Sequence, residues 1–365
     1  MAKASVDFTL VKPANARTAY TPEQIREIKK CMNDPLYFME KYMWIQHPVK
    51  GKIPFVAYEY QKRLVEAYWK NTSVVALLPR QTGKTTTAAG YLLWYAMFND
   101  DVTILIAANK FRAATEIMDR IKFAYEELPD WLRAGAATYN VQDIKFDNGS
   151  RIKSTTTTPD SGRGMSISLL YLDEFAFVKP RIAEEFWTAM SPTLATGGRC
   201  IITSTPNSDE DKFAEIWFGA NKTIDDHGNT IPDGLGINGF KAVTAHYSEV
   251  PGRDEAWATR ERAKIGADKF DREYDCKFLT ADETLINAVT LLKLQGVEPL
   301  YKTNEIRWYD KIKPNSTYVV ALDPSAGVGK DFAAIEVFSL PDMVQVADEH
   351  RQVPYAHRGQ DRRLG

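Results

Sequence analysis

The chain has 365 residues, which at roughly 150 residues per domain is room for two domains. Its 46 Lys and Arg against 48 Asp and Glu leave a net charge of −2, so no global field marks it for a polyanion, although residues 1–70 carry 12 basic and 7 acidic side chains. With 44% hydrophobic and 26% charged residues, the composition excludes disordered and collagen-like classes. The three cysteines, Cys31, Cys200 and Cys276, are odd in number and far apart. That argues against a disulfide framework or structural zinc and for a reducing compartment. The start lacks the apolar stretch of a signal peptide, and no apolar run approaches the ~20 residues that span a bilayer, so a soluble intracellular protein is expected.

In chain order, residues 1–20 are polar and without period, and read as a loosely held arm. Thr21-Pro22-Glu23-Gln24 is a helix start: a capping hydroxyl, Pro in the first turn, then acid and amide. Helical, aromatic-rich stretches follow to about residue 44 and over 59–69. Beyond them, short apolar runs at 74–79, 103–108, 169–173 and 200–205 alternate with amphipathic segments at 84–98, 111–128, 182–190 and 211–220. This alternation predicts an α/β fold with a mostly parallel sheet and helices on both faces. Asn148-Gly149 between alternating runs marks a hairpin over 144–152. Residues 221–240 read as a surface insertion and 293–314 as an irregular linker. A new strand is expected at 317–323, with a hairpin partner at 333–338. Trp94, Tyr95 and Phe98 follow helical spacing and are expected in the core.

Leu78-Pro79-Arg80-Gln81-Thr82-Gly83-Lys84-Thr85 sits between the 74–79 strand and the 84–98 helix. A strand–loop–helix of this kind directs backbone N–H groups and a positive helix end at phosphate oxygens. Lys84 then reaches the β- and γ-phosphates and the Thr85 hydroxyl meets Mg²⁺. The usual first glycine is absent, because Leu78 occupies its position. Leu169-Leu170-Tyr171-Leu172-Asp173-Glu174 is an apolar strand ending in two carboxylates. Asp173 suits the Mg²⁺ shell, and Glu174 suits polarising a water for attack on the γ-phosphate. Together the two motifs read as an NTPase. A third strand, 199–206, ends in hydroxyls, with Ser204 and Thr205 either coupling nucleotide state to the substrate-gripping part or merely capping a turn. Arg80 lies inside the loop, within reach of a γ-phosphate in cis. Arg163, between Gly162 and Gly164, suits insertion into a neighbour's active site, or else a local surface pairing with Asp160.

These residues resemble the large terminase subunit of tailed bacteriophages, closest to the T-even-like branch. The segment from Pro79 to Thr86 matches that branch's deviant phosphate loop, Tyr171 to Phe177 its carboxylate motif, and Ile202 to Pro206 its coupling motif. Tyr60-Gln61 resembles its adenine-side motif, in which the glutamine amide reads the base and the aromatic stacks on it. Residues 266–278 are similar to the segment that closes the ATPase part. The resemblance implies a P-loop NTPase of RecA/ASCE-like type, with ATP and Mg²⁺ bound through Tyr60, Gln61, Arg80, Gln81, Thr82, Gly83, Lys84, Thr85, Thr86 and Asp173. It further implies a ring, a pentamer, docked on the portal protein of a procapsid in the host cytoplasm and absent from the mature virion. Such a ring threads double-stranded viral DNA after a small terminase subunit has selected it, and needs no membrane. Arg163 aligns with the trans-acting arginine finger and Arg80 with a cis arginine.

The family also carries a ribonuclease H-like nuclease that uses Mg²⁺ or Mn²⁺. Asp323, at the end of the 317–323 strand, matches its first acid, and Asp331 a further one. Metal-assisted cleavage needs several converging carboxylates. The 43 residues from Asp323 onward are fewer than the ~100 of such a domain. The expectation is therefore an incomplete nuclease and no DNA cleavage by this chain alone. The expected organisation is an arm and helical lead-in over 1–58, an ATPase domain over 59–285, a linker over 286–314 and a partial nuclease over 315–365. The alternatives are a helicase-like ATPase acting on nucleic acid, or an inactive terminase fragment.

Overall fold

The structure, a computed structural model, describes residues 10–162, 164–225, 229–278, 297–304, 306–323 and 333–351. It divides into two compact units. Met1–Ile224 with Thr230–Lys293 form the first, and Asp225–Asn229 with Leu294–Gly365 the second.

The first unit opens as its sequence signals dictate. Helix α1 (Pro22–Asn33) is closed by a reciprocal capping box: the Gln24 N–H donates to Thr21 Oγ1 at 3.3 Å, and the Thr21 N–H to Gln24 Oε1 at 2.9 Å. Helix α2 (Pro35–Tyr42), the hairpin β1 (Trp44–His47) and β2 (Gly51–Pro54), and helix α3 (Glu59–Lys70) follow. Then come β3 (Ser73–Leu77), α4 (Lys84–Phe98), β4 (Thr103–Ala108), α5 (Phe111–Glu126), β5 (Ala136–Tyr139), β6 (Asp143–Phe146) and β7 (Arg151–Thr156). The unit continues through β8 (Leu169–Asp173), α6 (Pro180–Ala195), β9 (Arg199–Ser204), α7 (Lys212–Asn221), β10 (Lys241–Thr244), α8 (Glu255–Ile265) and α9 (Ala267–Glu273).

Eight strands form one sheet in the order β10-β3-β9-β8-β4-β7-β6-β5. The pairs from β10 through β7 are parallel; β7-β6-β5 are antiparallel, with the Asn148-Gly149 turn joining β6 to β7. Side chains alternate across it with period two. Val74, Ala76, Ile104, Ile106, Leu169 and Tyr171 join a core with α2, α3, α4 and α5. Val75, Leu77, Leu105, Leu170, Leu172 and Ile202 join a second core with α6 and α7. Covering both faces is what leaves the strands continuously apolar. Phe38, Met39, Met43 and Phe55 of the lead-in enter the first core beside α3, and the Trp94 indole N–H donates to Cys31 O at 2.7 Å.

Two expectations need correction. The arm is not loose throughout, because Val11 and Lys12 are buried. The Ala136 N–H donates to Lys12 O at 2.8 Å and the Lys12 N–H to Tyr125 Oη at 3.3 Å, while Pro13 bridges Ala136 beside β5. A single β-bridge has no period to read in sequence. Nor is the supposed linker irregular over 301–308: it forms β11 (Tyr301–Thr303) and β12 (Ile306–Trp308). Three-residue strands are too short to carry a pattern.

In the second unit these strands join β13 (Thr317–Asp323), β14 (Ala333–Leu340) and β15 (Val344–Arg351) in a sheet ordered β11-β12-β15-β14-β13, antiparallel throughout. The expected pairing of β13 with β14 is present. Arg307 grips Asp348 with two hydrogen bonds of 2.7 Å, a planar bidentate geometry. Among the described residues no helix is long and apolar enough to cross a membrane.

One contact fixes the elements that carry the site. The Arg199 guanidinium, at the start of β9, donates to the carbonyls of Tyr68, Trp69 and Asn71, the last at 2.7 Å, satisfying the end of α3. Arg199→Ala leaves those carbonyls without the donor and is expected to cost about 1–3 kcal/mol of stability, read as a lower urea midpoint at unchanged slope.

Candidate functional site

Parallel pairing brings the carboxyl ends of β3, β9 and β8 to one edge of the sheet, with β9 between the other two. Leu77 is in register with Ser204, and Asp173 with Thr203. The phosphate loop, the two carboxylates and the hydroxyl run are therefore adjacent, although Lys84 and Ser204 are 120 positions apart in sequence.

The loop leaves β3 after Leu78, a buried residue whose N–H still donates to Ser204 O at 3.0 Å. Leu78 thus extends the strand at the position where a glycine would have turned the chain. The turn is made instead by Gln81 at φ 53° and Gly83 at φ 84°, left-handed residues that curve successive N–H groups into an anion-binding concavity. A Cβ at Gly83 would also lie 2.8 Å from Gln61 Nε2 and push that amide aside. The Thr87 N–H gives the first bond of α4, to Gly83 O at 2.9 Å. Among the described residues the N–H groups from Gln81 to Thr86 donate to no other residue.

Lys84 is buried and its Nζ lies 2.6 Å from Glu174 Oε1. Glu174 leaves β8 in the left-handed region at φ 52°, ψ 45°, a conformation disfavoured for a residue with a side chain. It is held there from β9. The Glu174 N–H donates to Thr203 O at 2.8 Å. Its Oε2 accepts from the Thr205 N–H at 3.3 Å, and from Ser204 Oγ and Thr205 Oγ1 at 3.4 Å each. Ser204 and Thr205 are thus the residues that grip Glu174, beyond any capping role.

Asp173 is buried behind it. Its Oδ1 accepts from Thr203 Oγ1 at 2.9 Å and Tyr171 Oη at 3.0 Å. Burial, then the neighbouring Glu174 charge, push its carboxyl above the ordinary aspartate range, against the pull of Lys84. Sequence reasoning did not select Tyr171 or Thr203. Tyr171 had a signal, since a residue two before Asp173 on a strand shares its face.

Other predicted residues lie elsewhere than expected. The Tyr60 ring is fully buried and its hydroxyl donates to Thr82 O, so it cannot stack on a base from this position. Gln61 is nearly buried. Its Nε2 donates to Thr82 O at 3.3 Å, and its Oε1 accepts from the Tyr58 N–H at 2.9 Å. The aromatics lining the adjoining cavity, of about 580 Å³, include Phe55, Tyr58 and Trp257, and Gln61, Thr82, Gly83 and Thr86 share its wall. Arg80 does not point at the phosphate position: its Nε lies 2.5 Å from Glu273 Oε2, and its N–H donates to Glu273 O at 2.9 Å. Thr85 is partly buried at the start of α4, and Arg120 donates to Thr86 Oγ1 at 3.2 Å. A larger cleft of about 780 Å³ between α3 and β10 holds none of the loop or carboxylate residues, so size does not mark the site.

Arg163 and Asp331 lie outside the described residues. Asp323 is exposed at the end of β13. Among the described residues no three His, Cys, Asp or Glu side chains form a metal-holding group.

The family model for the large terminase subunit of T4-like viruses, N-terminal part, matches residues 75–292, more than half of the chain. The chain belongs to this family. The terminase fold extends to solved structures at lower identity. The large terminase ATPase domain of Thermus phage P74-26 is 20% identical, over 62% of this chain and 95% of that one, with a TM-score of 0.51. The large terminase of bacteriophage HK97 is 16% identical, with a TM-score of 0.54; it covers 85% of this chain, which spans 65% of its length. The P-loop ATPase fold expected from the sequence is the fold of this terminase. ATP-driven DNA packaging is the activity of the family to which it belongs.

The buried Asp173 has a consequence for stability. A carboxyl with raised proton affinity binds more protons folded than unfolded, so once ionised it weakens the fold. Asp173→Asn is expected to melt at a higher temperature than wild type at pH 7 without nucleotide. The difference should shrink as pH falls toward the unfolded aspartate value; equal melting at pH 7 would contradict the assignment.

Proposed function

We propose that this terminase hydrolyses ATP at the edge formed by β3, β9 and β8, and that the turnover drives double-stranded DNA into a viral capsid. The observation that carries this reading is the contact of Lys84 with Glu174, with Glu174 itself held by Ser204 and Thr205.

The free N–H groups of Gln81 to Thr86 and the Lys84 ammonium receive the β- and γ-phosphates. An incoming phosphate competes for Lys84 and frees one carboxylate oxygen of Glu174 to orient and deprotonate the attacking water. Asp173 Oδ2 accepts no hydrogen bond among the described residues, and the Thr85 hydroxyl lies at the start of α4. A buried carboxylate beside a second one, with a hydroxyl, is an all-oxygen donor set that fits Mg²⁺. Bound there by Thr85 and Asp173, Mg²⁺ would neutralise charge on the phosphate oxygens.

Loss of the γ-phosphate alters what Glu174 contacts, and Ser204 and Thr205 carry that change into β9 and the segment beyond it. In this reading Arg80 is a cis arginine that exchanges Glu273 for phosphate, and Arg163 acts in trans in a neighbouring subunit. The partners are DNA, a portal protein, a small terminase subunit and further copies of this chain in a ring, in the host cytoplasm. Asp323 and Asp331 belong to a nuclease site that requires further acids. A helicase-like engine needs a second parallel half, whereas the described part of the second unit is an antiparallel sheet.

Glu174→Gln is expected to keep nucleotide binding and lower ATP turnover by about 10²–10⁴-fold. Lys84→Ala should weaken binding itself. Measurement is steady-state hydrolysis beside binding of a fluorescent ATP analogue; a Glu174→Gln rate equal to wild type would reject the site.

A further inference from the structure

A phosphate loop works only if its N–H groups face the ligand, so its carbonyls must face away and find donors elsewhere. In this terminase each carbonyl from Pro79 to Gly83 has one. Pro79 O accepts from Thr82 Oγ1 at 3.0 Å, and Thr82 O from Tyr60 and Gln61. Gly83 O accepts from the Thr87 N–H at 2.9 Å and Thr87 Oγ1 at 3.1 Å. The two in the middle are met by a single residue more than 170 positions downstream. Arg253 NH1 donates to Arg80 O at 2.9 Å, and NH2 to Gln81 O at 2.8 Å. Its guanidinium is itself fixed by stacking, 5.0 Å from the Trp257 ring centroid and 5.5 Å from that of Tyr274.

We propose that Arg253 is a positioning residue of the phosphate loop, holding the Arg80 and Gln81 carbonyls outward so that the N–H groups that follow face the phosphates. The loop needs such a clamp because Leu78 replaces the glycine that would otherwise make the turn, and because Gln81 is held left-handed without being glycine. A planar fork with two parallel donors fits two adjacent carbonyls, a geometry lysine cannot reproduce. Arg253 sits between β10 and α8, so the clamp also ties the loop to the helical pair α8–α9, from which Glu273 pairs with Arg80.

The inference rests on the phosphate-loop reading above, and one experiment separates the two. Binding of fluorescent ADP, and its displacement by inorganic pyrophosphate, are titrated for the full chain, Arg253→Met and Arg253→Lys, beside their melting temperatures. Pyrophosphate senses the loop alone, so a contact that merely holds α8 in place would lower the melting temperature and leave its affinity unchanged. For Arg253→Met the expectation is about a tenfold weaker affinity for both ligands, from the loss of two charged donors. For Arg253→Lys it is an intermediate loss. Folded Arg253→Met with wild-type affinity for pyrophosphate overturns the proposal. Should Arg253→Met not fold, parity of Arg253→Lys with wild type overturns it instead. If wild type binds neither ligand, the phosphate-loop reading itself fails.

Discussion

The parallel register of β3, β9 and β8 is the constraint on which the site depends. Parallel strands present all their carboxyl ends on one edge of a sheet, and ligands of such sheets collect there. Because β9 lies between the loop strand and the carboxylate strand, its last residues touch both. Leu78 is bonded to Ser204, and Glu174 to Thr203, Ser204 and Thr205. Any displacement of Glu174 must therefore act on β9 first, and through it on the chain leading to α7.

The second determinant is electrostatic. Two carboxylates stand at consecutive positions, one buried and one half-exposed, and a single buried ammonium serves both. Lys84 makes its short contact with Glu174, while Asp173 accepts from the hydroxyls of Tyr171 and Thr203. The site thus sets one ammonium and a run of N–H donors beside two carboxylates, an arrangement that suits an anion accompanied by a cation. The left-handed backbone of Glu174 adds strain of order 1–2 kcal/mol at this point. Its hydrogen bonds to β9 are what hold it.

The chemistry that is contiguous in sequence was legible, and the chemistry assembled by folding was not. Lys84, Asp173 and Glu174 could be placed because a strand, a loop and a helix start follow one another in a few residues. The alternation that marks β4, β8 and α4 located those elements to the residue. Base stacking by Tyr60, implied by the resemblance, fails because a motif does not report burial: the ring faces the core and only its hydroxyl reaches the loop. Arg253 had no signal at all, and Glu273 had none beyond lying within residues 266–278, which resemble the closing segment of the ATPase part. Each meets the loop backbone from the far end of the unit, and an arginine beside a turn looks the same in sequence whatever it holds. The hairpin β11–β12 escaped because strands of three residues are too short to show a period.

The docked segment at Lys12 and Pro13 has a bearing on what the sheet can become. A row of unpaired backbone groups beside β5 would offer any extended chain a template for continuing the sheet, from another molecule or from a partly folded copy. The chain covers part of that row with its own residues, and the covering residue at the bridge is a proline, which has no N–H to extend the ladder further. Growth of the sheet is interrupted on that side by the protein itself. One route to disordered stacking is thereby kept closed.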